Sequence, residues 1–340
     1  MQRGAGAGVG VTDADYAVVG AELVDTADEV FDAAELIVKV KEPLAVERAM
    51  LHPGQIVFTF LHLAPDPEQA ADLVASGAAC IAYETVTDDA GHLPLLAPMS
   101  KVAGRMSVQA GARCLESPQG GAGVLLGGVP GVPPAEVVVL GGGVVGENAI
   151  QMALGLAASV TVVDRDVSVL DRLAARFGPA LTTVYSTRAA IEDLVEAADL
   201  VVGAVLVRGA RAPHLVTADM VKDMRAGSVV VDVAIDQGGC VETSHPTTHE
   251  DPTFVVDDVV HYCVANMPGA VSRTSTHALN NATLPYVLAL ADRGLHGALD
   301  ADPHLRRGLN IYAGMVTDAA VAEALGYDHV PAERALAAAA

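Results

Sequence analysis

Tryptophan is absent from this 340-residue chain, and aromatic residues make up only 4% of it. The interior must therefore be filled by small aliphatic residues, and the valine clusters point to strands buried in a parallel sheet. Lysine is nearly as scarce, with Lys39, Lys41, Lys101 and Lys222 the only four. A formal net charge of -22, from 42 acidic against 20 basic residues, argues against nucleic acid or an anionic membrane surface as a partner. The acidic excess is most simply a solvated surface. If it reflects adaptation to salt, stability rises as added salt screens the self-repulsion, and a melting temperature unchanged between low and high salt contradicts that reading.

The four cysteines, Cys80, Cys114, Cys240 and Cys263, have no CxxC spacing and no histidine partners in register. They read as buried free thiols in a reducing compartment. The longest charge-free stretches carry Pro130, Pro133 and Pro134 among many glycines, or fit a strand and helix pattern, so no membrane span is expected. The Gly-rich N-terminus lacks the apolar core of a signal peptide. These absences together predict a soluble, cytoplasmic protein.

What is present is hydrophobic residue enough, 51% of the chain, for two α/β cores, and the length favours two domains. Thr12 before DADYAVVGAEL predicts a capped helix. LIVKVK (36–41), IVFTFLHL (56–63) and CIAYE (80–84) read as strands, with a helix opened by Asp66 and Pro67 and closed by Gly77. Helices between strands predict parallel pairing. A helix over about 95–116 and a glycine- and proline-rich segment, 120–134, the expected crossover between domains, then lead to a second α/β run of six strands. After Asn266, a long helix kinked near Pro285 and an Ala-rich, frayed tail are expected, packing back on the first domain. The fold expected is thus α/β with two domains: residues 1–95 and 273–340 form a discontinuous substrate domain, and 96–272 an inserted nucleotide-binding domain.

The sharpest motif is EVVVL followed by GGGVVG, a G-x-G-x-x-G pattern with Gly141, Gly143 and Gly146 between a strand and a helix. Such a loop lets a pyrophosphate approach helix N–H groups. Asp164 closes the next strand 18 residues after Gly146, where a carboxylate binds the ribose hydroxyls and repels a 2'-phosphate. NAD is therefore expected rather than NADP.

Lys39 and Lys41, two apart, are expected to share a strand face. Lys39 reads as a salt-bridged or snorkelling residue, whereas Lys41, at the carboxyl end, suits either a structural or a substrate-facing role. His62 ends an apolar run where parallel sheets place ligands. A lone histidine there is more often a satisfied core group than a catalyst, but Asp236, just beyond the strand in VVVDVAIDQGG, shifts the balance. A cation, a group titrating near neutral pH and a carboxylate are then available to one reaction.

LIVKVKEP, FTFLHLA, AYETV, PLLAPMS, GGVPGV, GAVLV, VDVAIDQGG, YCVANMP and TSTHALNNATLPY together resemble the alanine dehydrogenase family, relatives of the NAD-binding subunit of proton-translocating transhydrogenase. The resemblance runs from about residue 4 to at least residue 325. It implies that Lys41 binds the substrate carbonyl, His62 is general acid/base and Asp236 stabilises the reacting carbinolamine or imine. It places Ser100 and the Gly141–Gly146 loop at phosphate, Asp164 at ribose, Ser186 at adenine, and Asn266 with Met267 at the nicotinamide. It implies reversible conversion of L-alanine to pyruvate and ammonia, without a metal, in a homo-oligomer, commonly a hexamer. Family members also carry an earlier strand-helix unit whose arginine binds the substrate carboxylate; neither Arg3 nor Arg48 matches it, so a short, weakly active NAD binder and a transhydrogenase-type subunit are the alternative readings.

Overall fold

The computed structural model describes residues 1–205 and 212–338. It divides into two compact units, Met1–Pro98 with Ser272–Ala340, and Met99–Val271. The chain forms β1 (Leu36–Val38), β2 (Ile56–Thr59) and β3 (Ala79–Ala82) in the first unit. The second unit contains β4 (Glu136–Leu140), β5 (Ser159–Asp164), β6 (Leu181–Tyr185), β7 (Leu200–Gly203), β8 (Val229–Asp232), β9 (Thr253–Val256) and β10 (Val259–Tyr262). The chain then returns to the first unit for β11 (Leu309–Tyr312) and β12 (Met315–Val316).

The first sheet has the order β1-β2-β3-β11-β12. β1, β2 and β3 are parallel, and β11 runs antiparallel to β3 and β12. Phe31, Ile37, Val57, Leu61, Leu73, Cys80 and Ile311 fill its core, so residues from both ends of the sequence share one interior. The helix Pro67–Ser76 starts where the Asp66 carboxylate accepts from the Gln69 amide, and it stops at Gly77, whose φ of 69° is left-handed.

The expected strand at 36–41 is shorter than its pattern. It ends at Val38, because Lys39 turns toward Glu47 and the chain enters Pro43 and a capping turn in which Glu47 accepts from the Leu44 amide. Lys39 and Lys41 therefore do not share a strand face. β2 likewise stops at Thr59, three residues before His62. The passage between units falls at Pro98–Met99, within the helix Ala97–Cys114, and the glycine- and proline-rich segment 120–134 lies inside the second unit.

The second sheet is ordered β6-β5-β4-β7-β8-β10-β9. Its first six positions are parallel, the 3-2-1-4-5-6 arrangement of dinucleotide-binding sheets. β9 is an addition to the six strands expected, paired antiparallel to β10 through Asp257 and Asp258, at φ 48° and 61°. A two-residue hairpin needs positive φ at both positions, and aspartate tolerates it without the glycine that usually advertises such a turn. Of GAVLV, Leu206 and Val207 lie outside the described residues.

The long helix Ser272–Ala301 is interrupted at Gly294 (φ 66°, ψ 177°) and not at Pro285. Only glycine enters that conformation freely. The alanine-rich end is a helix, Ala332–Ala338, with Ala335 and Leu336 buried, rather than a frayed tail. Among the described residues no helix is long and apolar enough to cross a membrane.

His261 on β10 is fully buried, with Nδ1 3.0 Å from the Val259 carbonyl and Nε2 2.8 Å from the Thr243 hydroxyl. A carbonyl only accepts, so Nδ1 carries the proton and Nε2 accepts from Thr243. Burial pushes this imidazole below its ordinary pKa of 6.5, against the opposing pull of the Val259 carbonyl. The unfolded chain then binds a proton that the folded chain resists, so stability falls as pH drops below about 6.5. His261→Gln should flatten that acid limb in melting temperature measured against pH.

Candidate functional site

In the second unit six parallel strands deliver their carboxyl ends to one sheet edge, and the strand order reverses there between β4 and β7. Open α/β sheets bind ligands at such a switch point. The glycine loop follows β4, and each glycine answers a different constraint. Gly141 has φ 98°, and a Cβ there would lie 2.9 Å from the Ala204 carbonyl oxygen beyond β7. A Cβ at Gly146 would overlap the Gly141 carbonyl oxygen, so only glycine lets the helix Val144–Gly155 start so close to its strand. At Gly143 a Cβ would meet no atom of the described residues within 4 Å. That opening at the amino end of a helix has the form of a phosphate cradle.

Asp164, at the end of β5, accepts from the amides of Gly142 at 2.7 Å and Asp166 at 2.9 Å, which fixes its carboxylate against the glycine loop. Arg172 donates to the Gly142 carbonyl at 3.1 Å and, with Arg176, pairs with Glu147 in the first turn of the loop's helix. Glu147 therefore adds little negative charge where phosphate would lie. Ser186 follows β6, its amide bonded to the Asp164 carbonyl at 2.9 Å, and lines a cavity with Ile191, His214, Leu215 and Met220.

Ser100 is placed by a helix crossing. On the helix Ala97–Cys114, a Cβ at Gly104 would overlap the Val145 carbonyl oxygen, so this helix packs directly on the first turn after the glycine loop. Ser100 lies one turn before that crossing, on the same face as Gly104. Asn266 and Met267 follow β10. The Asn266 carbonyl meets His249 Nε2 at 2.9 Å and the Gly269 amide at 3.0 Å. The Met267 side chain is buried in the core with Val102 and Met106.

Asp236 is exposed on the short turn Val233–Gln237 after β8. Beneath it lies Asp232, fully buried, which accepts from the amides of Ala234 (3.1 Å), Cys240 (3.0 Å) and Val241 (3.1 Å). One carboxylate thus clamps both ends of the segment that displays Asp236. Burial raises the Asp232 pKa, opposed by hydrogen bonds from Ser244, Val241 and Cys240.

In the first unit Lys41 is exposed, and its carbonyl accepts from Thr59 Oγ1 at 2.9 Å. Lys39 is consumed structurally: its Nζ lies 2.6 and 2.5 Å from the two Glu47 oxygens. His62 is half-buried, in a left-handed conformation at φ 49°. Its ring lies parallel to that of Phe60, centroids 5.7 Å apart, and its amide donates to Glu84 Oε1 at 2.6 Å. Arg48 is buried against Asp72 at 2.7 Å, and Arg3 pairs with Asp25 at 2.8 Å. Glu84, Asp232 and Arg172 escape a reading of the sequence because each makes a key contact 8 or more residues away.

Residues 1–103 match the family model described as alanine dehydrogenase/PNT, N-terminal domain, and residues 107–319 match the corresponding C-terminal domain. An alanine dehydrogenase of Halomonas elongata is 60% identical over 332 residues, spanning 98% of this chain and 90% of that protein. One from Bacillus subtilis is 52% identical over 337 residues, spanning 99% and 89%. A solved structure described as an L-alanine dehydrogenase superposes with a TM-score of 0.90 at 53% identity, covering 96% of this chain and 90% of that one. A transhydrogenase from Sinorhizobium meliloti, at TM-score 0.77 and 22% identity over 94% and 89% of the two chains, shares the fold.

Proposed function

Because the chain belongs to the alanine dehydrogenase/PNT family, we propose that it catalyses the reversible, NAD-dependent oxidative deamination of L-alanine to pyruvate and ammonia. The observation that carries this reading is that the likeness spans both units, including the first, where Lys41 and His62 lie. The net reaction consumes L-alanine, NAD and water and yields pyruvate, ammonium, NADH and a proton.

The second unit suits NAD. The open space at Gly143 and the helix start behind it accept pyrophosphate, Ser100 adds a hydroxyl nearby, and the Asp164 carboxylate accepts from ribose hydroxyls and disfavours a 2'-phosphate. Ser186 and its cavity serve the adenine, and Asn266 with the Met267 main chain the nicotinamide end. When bound, the nicotinamide supplies the acceptor for the hydride of the alanine Cα.

This chain's own groups handle charge and protons. The Lys41 ammonium polarises the substrate oxygen that becomes the pyruvate carbonyl. His62 takes a proton from water as it adds to the imine, then returns one as ammonia leaves the carbinolamine. The Asp236 carboxylate stabilises the positive charge of the protonated imine. The active protein is cytoplasmic and a homo-oligomer, a hexamer by family resemblance, which light scattering of the purified chain tests.

Lys39 and Lys41 should separate cleanly. Lys41→Met lowers kcat/KM by about 10² to 10³-fold without changing the melting temperature. Lys39→Met leaves the buried Glu47 without its partner, and costs about 1–3 kcal/mol of stability instead. Steady-state kinetics beside thermal melts check both. The function itself is tested by NADH formation on adding L-alanine, and by NADH consumption with pyruvate and ammonium.

A further inference from the structure

We propose that Glu84 is the positioning residue for His62, holding the backbone of the proton carrier in a conformation it would not otherwise adopt. The proposal rests on the reading of His62 as general acid/base. A histidine at φ 49° is disfavoured by contact between Cβ and its own backbone, a cost on this scale being one that surrounding structure must override. No glycine flanks it in FTFLHLA to relieve the turn.

Contacts from other elements impose the conformation. Glu84 Oε1 accepts from the amides of Leu61 at 3.1 Å and His62 at 2.6 Å, and Oε2 lies 3.3 Å from the Leu61 amide. The Leu61 carbonyl accepts from Gln69 Nε2 at 2.5 Å, and the Phe60 amide donates to the Val40 carbonyl at 3.2 Å. Three consecutive peptides are thus held from three sides, and the only carboxylate among these partners is Glu84. An anionic acceptor bonds amides more strongly than a neutral one.

The same turn, Tyr83–Thr85, also supports the ring. Tyr83 packs edge-on against Phe60, centroids 5.0 Å apart, and Phe60 lies parallel to the His62 imidazole. The Tyr83 hydroxyl donates to the Lys39 carbonyl at 3.0 Å, so the turn links the segments that carry Lys41 and His62. Parallel register explains why Glu84 reaches: Thr59 on β2 lies opposite Ala82 on β3, and both chains continue two to three residues past that pair. Glu84 itself stays behind His62, on its backbone side, and takes no part in proton transfer.

The test is a double-mutant cycle on the full chain, with kcat and KM for alanine, NAD affinity and thermal melts measured for Glu84→Ala, Glu84→Gln, His62→Ala and His62→Ala/Glu84→Ala. Glu84→Ala should lower kcat by about 10²-fold, the scale of a misplacement near 1 Å, with NAD affinity unchanged. Glu84→Gln, which keeps one acceptor oxygen, should fall between it and the parent chain and stand in should Glu84→Ala not fold. In the His62→Ala background, removing Glu84 should cost no further turnover. An equal loss from Glu84 replacement with and without His62 overturns the proposal, as does parental kcat in both Glu84 variants. Parental turnover in His62→Ala alone overturns the reading beneath it, and the proposal falls with it, a result distinct from additivity.

Discussion

His62→Ala lowers kcat by about 10² to 10⁴-fold, the usual worth of a positioned acid/base group, while NAD affinity stays at its parental value. The two outcomes separate because His62 belongs to the first unit, whereas the glycine loop and Asp164 belong to the second. Stability adds an independent check. Alanine at φ 49° retains the Cβ that disfavours this conformation, and glycine does not. His62→Gly should therefore be more stable than His62→Ala by about 1 kcal/mol and equally inactive. Denaturant midpoints and steady-state kinetics for the pair distinguish lost backbone geometry from lost chemistry. Equal activity of His62→Ala and the parent chain contradicts the assigned role.

The second large effect lies in the glycine loop, where two alanine substitutions three residues apart should fail differently. At Gly146 the added methyl overlaps the Gly141 carbonyl oxygen and crowds Val139 on β4. Backbone must move, so Gly146→Ala should lose about 1–3 kcal/mol of stability together with NAD binding. At Gly143 the methyl meets no atom of the described residues, and φ -69° with ψ -163° is open to alanine. Gly143→Ala should therefore melt within about 0.5 kcal/mol of the parent yet bind NAD at least tenfold more weakly, because its methyl occupies the space a phosphate needs. Titration of NAD by calorimetry, alongside melts, reads both. Parental affinity in Gly143→Ala would mean the cradle lies elsewhere.

Features encoded locally were legible in the sequence. The G-x-G-x-x-G turn, Asp164 at the next strand end, the Asp66 and Thr12 caps and the Gly77 stop each depend on residues within a few positions, and each has the expected conformation. What escaped was set by partners distant in sequence or by rare backbone states. Lys39 ends β1 early because Glu47, eight residues on, captures it. The left-handed turn at His62 follows from Glu84, 22 residues away across β2 and β3. The β9–β10 hairpin turns on two aspartates instead of glycine, and the break in the long helix falls at Gly294 although Pro285 is the more conspicuous residue. The buried clamp at Asp232 lies in the same VDVAIDQGG run as the exposed Asp236, and spacing does not say which carboxylate faces inward.

The most direct test of the central claim is NADH formation by the purified chain as L-alanine is added in the presence of NAD, with His62→Ala run in parallel. The account predicts saturable, alanine-dependent reduction of NAD, reversed by pyruvate and ammonium and lost in the variant. NAD binding with no alanine-dependent reduction, or reduction that persists undiminished in His62→Ala, would contradict it.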